Sequence, residues 1–167
     1  MDQKTLKLIS EAKRGDPDAF TALMQSQMQN MYKAARAILS SDEDAADAIA
    51  DTILVCWEKL SQLRKPEFFR TWMTRILINK CKDIIRKRRN YSFMEDVPDV
   101  SVRETGFENV EWNDALNCLE EKYRLVTVLY YVEGFSTTEI AEILGMPDST
   151  IRSRLSRARH KLAREFV

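Results

Sequence analysis

At 167 residues the chain is long enough for one domain or two small ones. With only four Gly and four Pro it shows few period-two runs, so helix-period patterns dominate and the fold class is all-α. No apolar run approaches the roughly 18 residues of a membrane span and no signal-peptide pattern opens the sequence, which predicts a cytoplasmic protein. The net charge of zero conceals segregation: residues 1–63 hold 7 basic and 10 acidic side chains, 64–90 hold 10 and 2, 91–122 hold 2 and 9, and 123–167 hold 7 and 5. Two basic blocks separated by an acidic one suggest two nucleic-acid contacts on one chain.

The first helix is predicted from about Thr5 to Arg14. Asp16-Pro17 then supplies a cap and a first-turn proline for a longer helix reaching about Leu39. Ser40-Ser41-Asp42-Glu43-Asp44 opens the third helix, with acids favoured at its positive end. On a helical wheel Ala45, Ile49, Ile53, Cys56 and Leu60 form its inward stripe. Asp44, Asp47, Asp51 and Glu58 form a separate carboxylate stripe flanked by Leu54 and Val55. Acids beside apolar residues on an outward face suit protein docking; a merely solvated acidic face is the plainer alternative.

The fourth helix, about Pro66 to Arg89, carries a broad core face of Phe69, Trp72, Met73, Ile76, Leu77 and Ile84. Arg75, Asn79, Lys82, Arg86 and Arg89 recur at helical spacing on one polar face. Such a row of cations can follow a phosphate backbone, and Asn79 adds a donor and an acceptor for a base edge. Phe68 lies beside the row, and Tyr91 and Phe93 follow it; aromatic rings among cations suit unpaired bases. Core packing is the alternative for these aromatics, and the stronger one for Phe69 and Trp72. From Tyr91 to Glu108 the chain is acidic and aperiodic, which reads as a flexible linker. The expected organisation is therefore a helical domain over 1–90, a linker over 91–108 and a second helical domain over 109–167.

The C-terminal part has the grammar of a helix-turn-helix. Ser136 and Glu139 have capping-box spacing, Ile140, Ile143 and Leu144 give a short helix one apolar face, and Gly145 suits the turn that follows. Pro147 fits the first turn of the next helix, along which Ile151, Leu155, Ala158 and Leu162 form a narrow apolar stripe. Between them stand Arg152, Arg154, Arg157, Arg159, Lys161 and Arg164, more cationic bias than solubility requires. One side can pack while the other lies in a DNA major groove; an amphipathic helix with a solvated basic face is the alternative. Cys56, Cys81 and Cys118 match no zinc spacing, and the single His160 cannot complete one, so reduced core thiols are expected. No catalytic residues, metal site or cofactor are predicted.

These segments together resemble the RNA polymerase sigma factors of the extracytoplasmic function group of the sigma-70 family, over nearly the whole chain. Asp18-Ala19-Phe20 looks like the family's opening motif, and Asp44 to Trp57 is similar to the helix that docks on the polymerase clamp. Phe69 to Arg86 resembles the −10 recognition helix, and Leu119 to Leu162 resembles the domain that reads the −35 element. The sequence departs from the family pattern at Ala50, where glutamine is common, at Glu120, where proline is usual, and at Ser149, where glycine is common.

The resemblance implies docking on core RNA polymerase through Asp47, Asp51, Leu54 and Glu58, and −10 contacts from Arg75, Asn79, Lys82 and Arg86. It further implies that Arg152, Ser153, Ser156 and Arg157 face the −35 major groove of promoter DNA. It also implies promoter melting, and control by an anti-sigma protein, often membrane-bound, that wedges between the domains and covers the helix near Leu54. Two other classes compete. An ordinary helix-turn-helix regulator with an N-terminal dimerisation or sensor domain explains the C-terminus but leaves the Arg75–Arg89 face and the carboxylate helix unused. A helical nuclease needs metal carboxylates that converge.

Overall fold

The computed structural model describes residues 1–92 and 110–166. Phe93 and the acidic stretch that follows lie outside them, as does the side chain of Tyr91. The described residues form eight α-helices and no strand: α1 (Gln3–Lys13), α2 (Pro17–Ile38), α3 (Asp42–Lys59), α4 (Phe69–Ser92), α5 (Val110–Asn117), α6 (Glu121–Thr127), α7 (Thr137–Leu144) and α8 (Asp148–Phe166).

The helix starts are fixed locally. Asp2 accepts from the Thr5 amide at 2.8 Å, Asp16 from Asp18 and Ala19 at 2.9 and 3.2 Å, and Ser41 from Asp44 at 3.1 Å, each satisfying amides that a helix leaves unpaired in its first turn. The α7 capping box is complete: the Glu139 amide donates to Ser136 Oγ at 3.2 Å and the Ser136 amide to Glu139 Oε2 at 2.7 Å. Gly145 ends α7 at φ +64°, a left-handed conformation that a β-carbon would strain. Pro147 stands just before α8, its carbonyl accepting from the amides of Thr150 and Ile151. Glu120 caps α6 from the position just before it at φ −60°, the torsion that proline would have preset.

In the N-terminal half α2 and α4 pack on α3, and α1 covers α2. Phe69, Met73, Leu77, Ile78 and Cys81 are the buried side of α4, while Trp72, Ile76 and Ile84 are only half-buried at its margin. In the C-terminal half α6 and α7 hold α8 through Ile151, Leu155 and Ala158.

The sequence predicts two helical units joined through a linker; the described residues add a direct seam between them. Elements α2 and α4 meet α6, α7 and the turn between these two, and buried side chains of both halves join in one core. Arg124, only 5% exposed, crosses this seam. Its guanidinium donates to the carbonyls of Leu116 at 3.0 Å and Leu119 at 2.6 Å, at the end of α5, and to Ala37 at 3.4 Å, at the end of α2. Carbonyls at helix C-termini carry partial negative charge, so a buried cation is compensated there without a carboxylate.

Cys56 and Cys81 are core thiols whose burial pushes them up to about 12. Cys118 departs from the expectation of a third core thiol: it follows α5 in a turn and is exposed.

Candidate nucleic-acid interface

Along α8 the apolar stripe faces inward, which turns Arg152, Ser153 and Arg157 to solvent and leaves Ser156 half-buried beside the stripe. Arg152 Nε lies 2.8 Å from Asp148 Oδ2 one turn earlier, which restrains the guanidinium near the helix start. A cleft of about 330 Å³ separates this end of α8 from α6, lined by Lys122, Tyr123, Ser149, Ser153, Arg154 and Arg157. A second, of about 550 Å³, runs on along Tyr123, Arg157, His160, Lys161 and Arg164. Arg157 stands between the two. Its hydrogen bond to Tyr123, with the charge of Lys122 nearby, holds that phenol below its usual value. Cations and hydroxyls in shallow clefts suit phosphates and base edges. Lys122 and Tyr123 escaped the sequence reading of the site because they lie on α6, some thirty residues before the helix they face.

The second basic face is also exposed. On α4, Arg75, Asn79 and Arg86 are open to solvent and Lys82 is half-buried, with Arg86 Nη2 3.4 Å from Asp83. Phe68, in the turn Pro66–Phe68 that leads into α4, is 47% exposed, and Lys65 Nζ lies 5.7 Å from its ring centroid.

On α3 the residues expected to dock a protein, Asp47, Asp51, Leu54 and Glu58, all face outward, Leu54 at 61% exposure. Asp44, expected in the same stripe, is instead buried under α4 and paired with Arg88 at 2.5 Å, because α4 crosses the first turn of α3. Trp57 extends the outward surface: it is exposed yet braced edge-on against Phe20, ring centroids 5.0 Å apart. Beside the stripe an apolar groove of about 520 Å³ opens between α2 and α3, lined by Met28, Tyr32, Ala46, Ile49, Ala50 and Ile53. Ile53, expected inward, is half-buried in its wall, and the small side chain of Ala50 leaves the groove open. Tyr32 donates to Asp42 Oδ1 at 2.6 Å across its rim, a bond that raises the phenol pKa. Among the described residues no group of three or more His, Cys, Asp or Glu converges as metal ligands, and no helix is long and apolar enough to cross a membrane.

A helix-turn-helix, a second basic helix face and an acidic–apolar docking helix on one all-α chain define a DNA-binding protein that works with a protein partner. The family described as Sigma-70 region 2 matches residues 23–91, and Sigma-70, region 4 matches residues 110–162. The RNA polymerase sigma factor NccH of Alcaligenes xylosoxydans xylosoxydans is 31% identical over 171 residues, covering 93% of this chain and 90% of that one. The ECF RNA polymerase sigma factor SigM of Mycobacterium tuberculosis is 29% identical over 166 residues, covering 98% of this chain and 85% of the relative. Among solved structures, the sigma factor RpoE in complex with the anti-sigma factor NepR from Bartonella quintana superposes with a TM-score of 0.73 at 26% identity, covering 86% of this chain and 93% of that one.

The chain belongs to the extracytoplasmic function group of the RNA polymerase sigma-70 family. It is a sigma factor, which binds core RNA polymerase, directs it to promoters through their −10 and −35 elements and promotes melting of the DNA. Sigma factors are not enzymes. The ordinary helix-turn-helix regulator is not favoured, since it leaves the region 2 match over residues 23–91 without a role.

Proposed function

We propose that three surfaces of this chain divide the work of initiation. On α8, Arg152, Ser153, Ser156 and Arg157 read the −35 major groove, while Lys122 grips the adjoining phosphate backbone. The α4 face of Arg75, Asn79, Lys82 and Arg86, with Phe68 beside it, holds the −10 element as it unpairs. Asp47, Asp51, Leu54 and Glu58 on α3, extended by Trp57, dock on the largest subunits of polymerase. Residues 1–90 and 109–167 act as the two functional units and 91–108 as their connection. The chain works in the cytoplasm, has no catalytic activity of its own, and is held inactive by an anti-sigma protein that covers the α3 surface around Leu54.

The observation that carries this reading is the exposure of Leu54 and Trp57 within a row of carboxylates, on a helix anchored from its other side by the buried Ala45, Ala48 and Cys56. Large apolar side chains left in solvent among ordered charges mark a surface that a partner covers. Charge reversal by Asp51→Arg tests it. That side chain points away from the core, so the variant is expected to keep the wild-type circular dichroism and melting temperature yet fail to be retained by immobilised core polymerase. A folded Asp51→Arg protein that still binds core as wild type does moves the docking surface elsewhere.

A further inference from the structure

We propose that Asp148 is a positioning residue for sequence readout: it holds Arg152 end-on to the −35 major groove and so sets a preference for guanine at one position of that element. The proposal rests on the assignment of α8 to the −35 element.

Asp148 is the first residue of α8, yet the start of the helix does not depend on its side chain. The amides of Thr150 and Ile151 donate to the Pro147 carbonyl, at 3.0 and 3.3 Å. Of the two carboxylate oxygens, Oδ1 is buried and accepts no hydrogen bond, while Oδ2 lies 2.8 Å from Arg152 Nε one turn on. One oxygen tucked against the protein fixes the direction of the other. The pair itself is on the surface, with the Arg152 side chain 67% exposed, so it adds little to stability. Its consequence is orientation.

The contact falls on Nε, the inner nitrogen of the guanidinium, and leaves the two outer nitrogens to donate side by side. In the major groove guanine offers two adjacent acceptors, O6 and N7, whereas adenine pairs an acceptor with a donor. A guanidinium presented end-on therefore selects guanine. The other arginines of α8 are held differently: Arg157 bonds the Tyr123 hydroxyl, and Arg159 Nη1 donates to the Tyr131 hydroxyl at 3.3 Å. Among the described residues Arg152 is the one arginine of α8 paired with a carboxylate. A carboxylate at a DNA-facing helix start repels phosphate, so it works against affinity. What it supplies is discrimination. A free arginine side chain must be ordered on binding, and it can turn to a phosphate, which carries no sequence information. Asp148 removes the first cost and opposes the second choice.

The test uses holoenzyme reconstituted from the full chain and core polymerase, on a promoter whose −35 element is randomised. Bound and unbound DNA are sequenced, and affinity for the pool is measured. Arg152→Ala is expected to erase a guanine preference at one position. Asp148→Asn, which keeps the shape and removes the charge, is expected to weaken that same preference about three- to tenfold. Its affinity for the pool is expected to rise about two- to fivefold, because a repelling charge is gone. Asp148→Glu, still within reach one turn away, is expected to keep the preference. Adding Asp148→Asn to Arg152→Ala is expected to change the preference no further. An Asp148 that only favours the positive start of α8 gives a different result: a lower melting temperature for Asp148→Asn, with every position weakened alike. That result, an unaltered guanine preference in Asp148→Asn, or a change confined to a position that Arg152 does not govern, would each overturn the proposal alone. An Arg152→Ala holoenzyme with every −35 preference intact takes Arg152 out of the groove, and overturns the assignment together with the proposal.

Discussion

Arg157 is the side chain of α8 with the most at stake, since it lines both clefts and bonds Tyr123. It is exposed opposite the Ile151–Leu155–Ala158 stripe, which is why it is proposed above to read base edges. Arg157→Ala is expected to cost about 1–3 kcal/mol of promoter affinity and to blur preference at one −35 position, as read by binding to a panel of singly altered sites. Lys122→Ala should weaken all sites alike and reduce the slope of log affinity against log salt by about 1. A uniform loss for Arg157→Ala would make it a phosphate contact as well. Glu133 gives a pH prediction. Burial, opposed by the charges of Arg70 and Lys33, raises its pKa above the ordinary glutamate value, so the folded chain binds a proton there more tightly than the unfolded one. Its contribution to stability is therefore present below the ordinary value and lost as pH rises through the raised one. Thermal stability across an acidic pH series is expected to fall in that direction, and Glu133→Gln to flatten the response.

Among the helices, what the sequence made legible is what is decided within a turn or two. The Ser136–Glu139 capping box, Asp16-Pro17 and the Gly145 stop are each satisfied by neighbours three or four residues away, and they stand where the spacing put them. Pro147 lies one position earlier than expected, at the boundary itself. The outward placement of Asp47, Asp51, Leu54 and Glu58 followed from one helical period, but Asp44 did not obey it, because the crossing of α4 is a tertiary event. The π turn at Val128–Val132 left no local mark, since five apolar residues read equally well as a continuing helix. The α4 face was legible for the same reason as α3, and it carries the prediction on melting. Asn79→Ala is expected to reduce permanganate reactivity of thymines around the −10 element more than it reduces initial promoter binding. Normal opening by the variant would move the contact off this face.

At the scale of the whole molecule, charge segregation and the three exposed surfaces were readable, and the way the halves meet was not. Arg70 and Glu133 lie 63 residues apart and Arg124 and Ala37 lie 87 apart, and nothing in the spacing of either pair distinguishes a seam from two solvated arginines. A protein built this way should be quiet alone and active only with polymerase, its two DNA-facing helices brought into use together. Run-off transcription on native DNA with purified core polymerase, followed by mapping of the start sites, tests that most directly. The account predicts starts that appear only when this chain is added, that share −10 and −35 sequences at one fixed spacing, and that vanish with Asp51→Arg. An absence of chain-dependent starts, with the chain binding a palindrome as a dimer in the absence of polymerase, would contradict it.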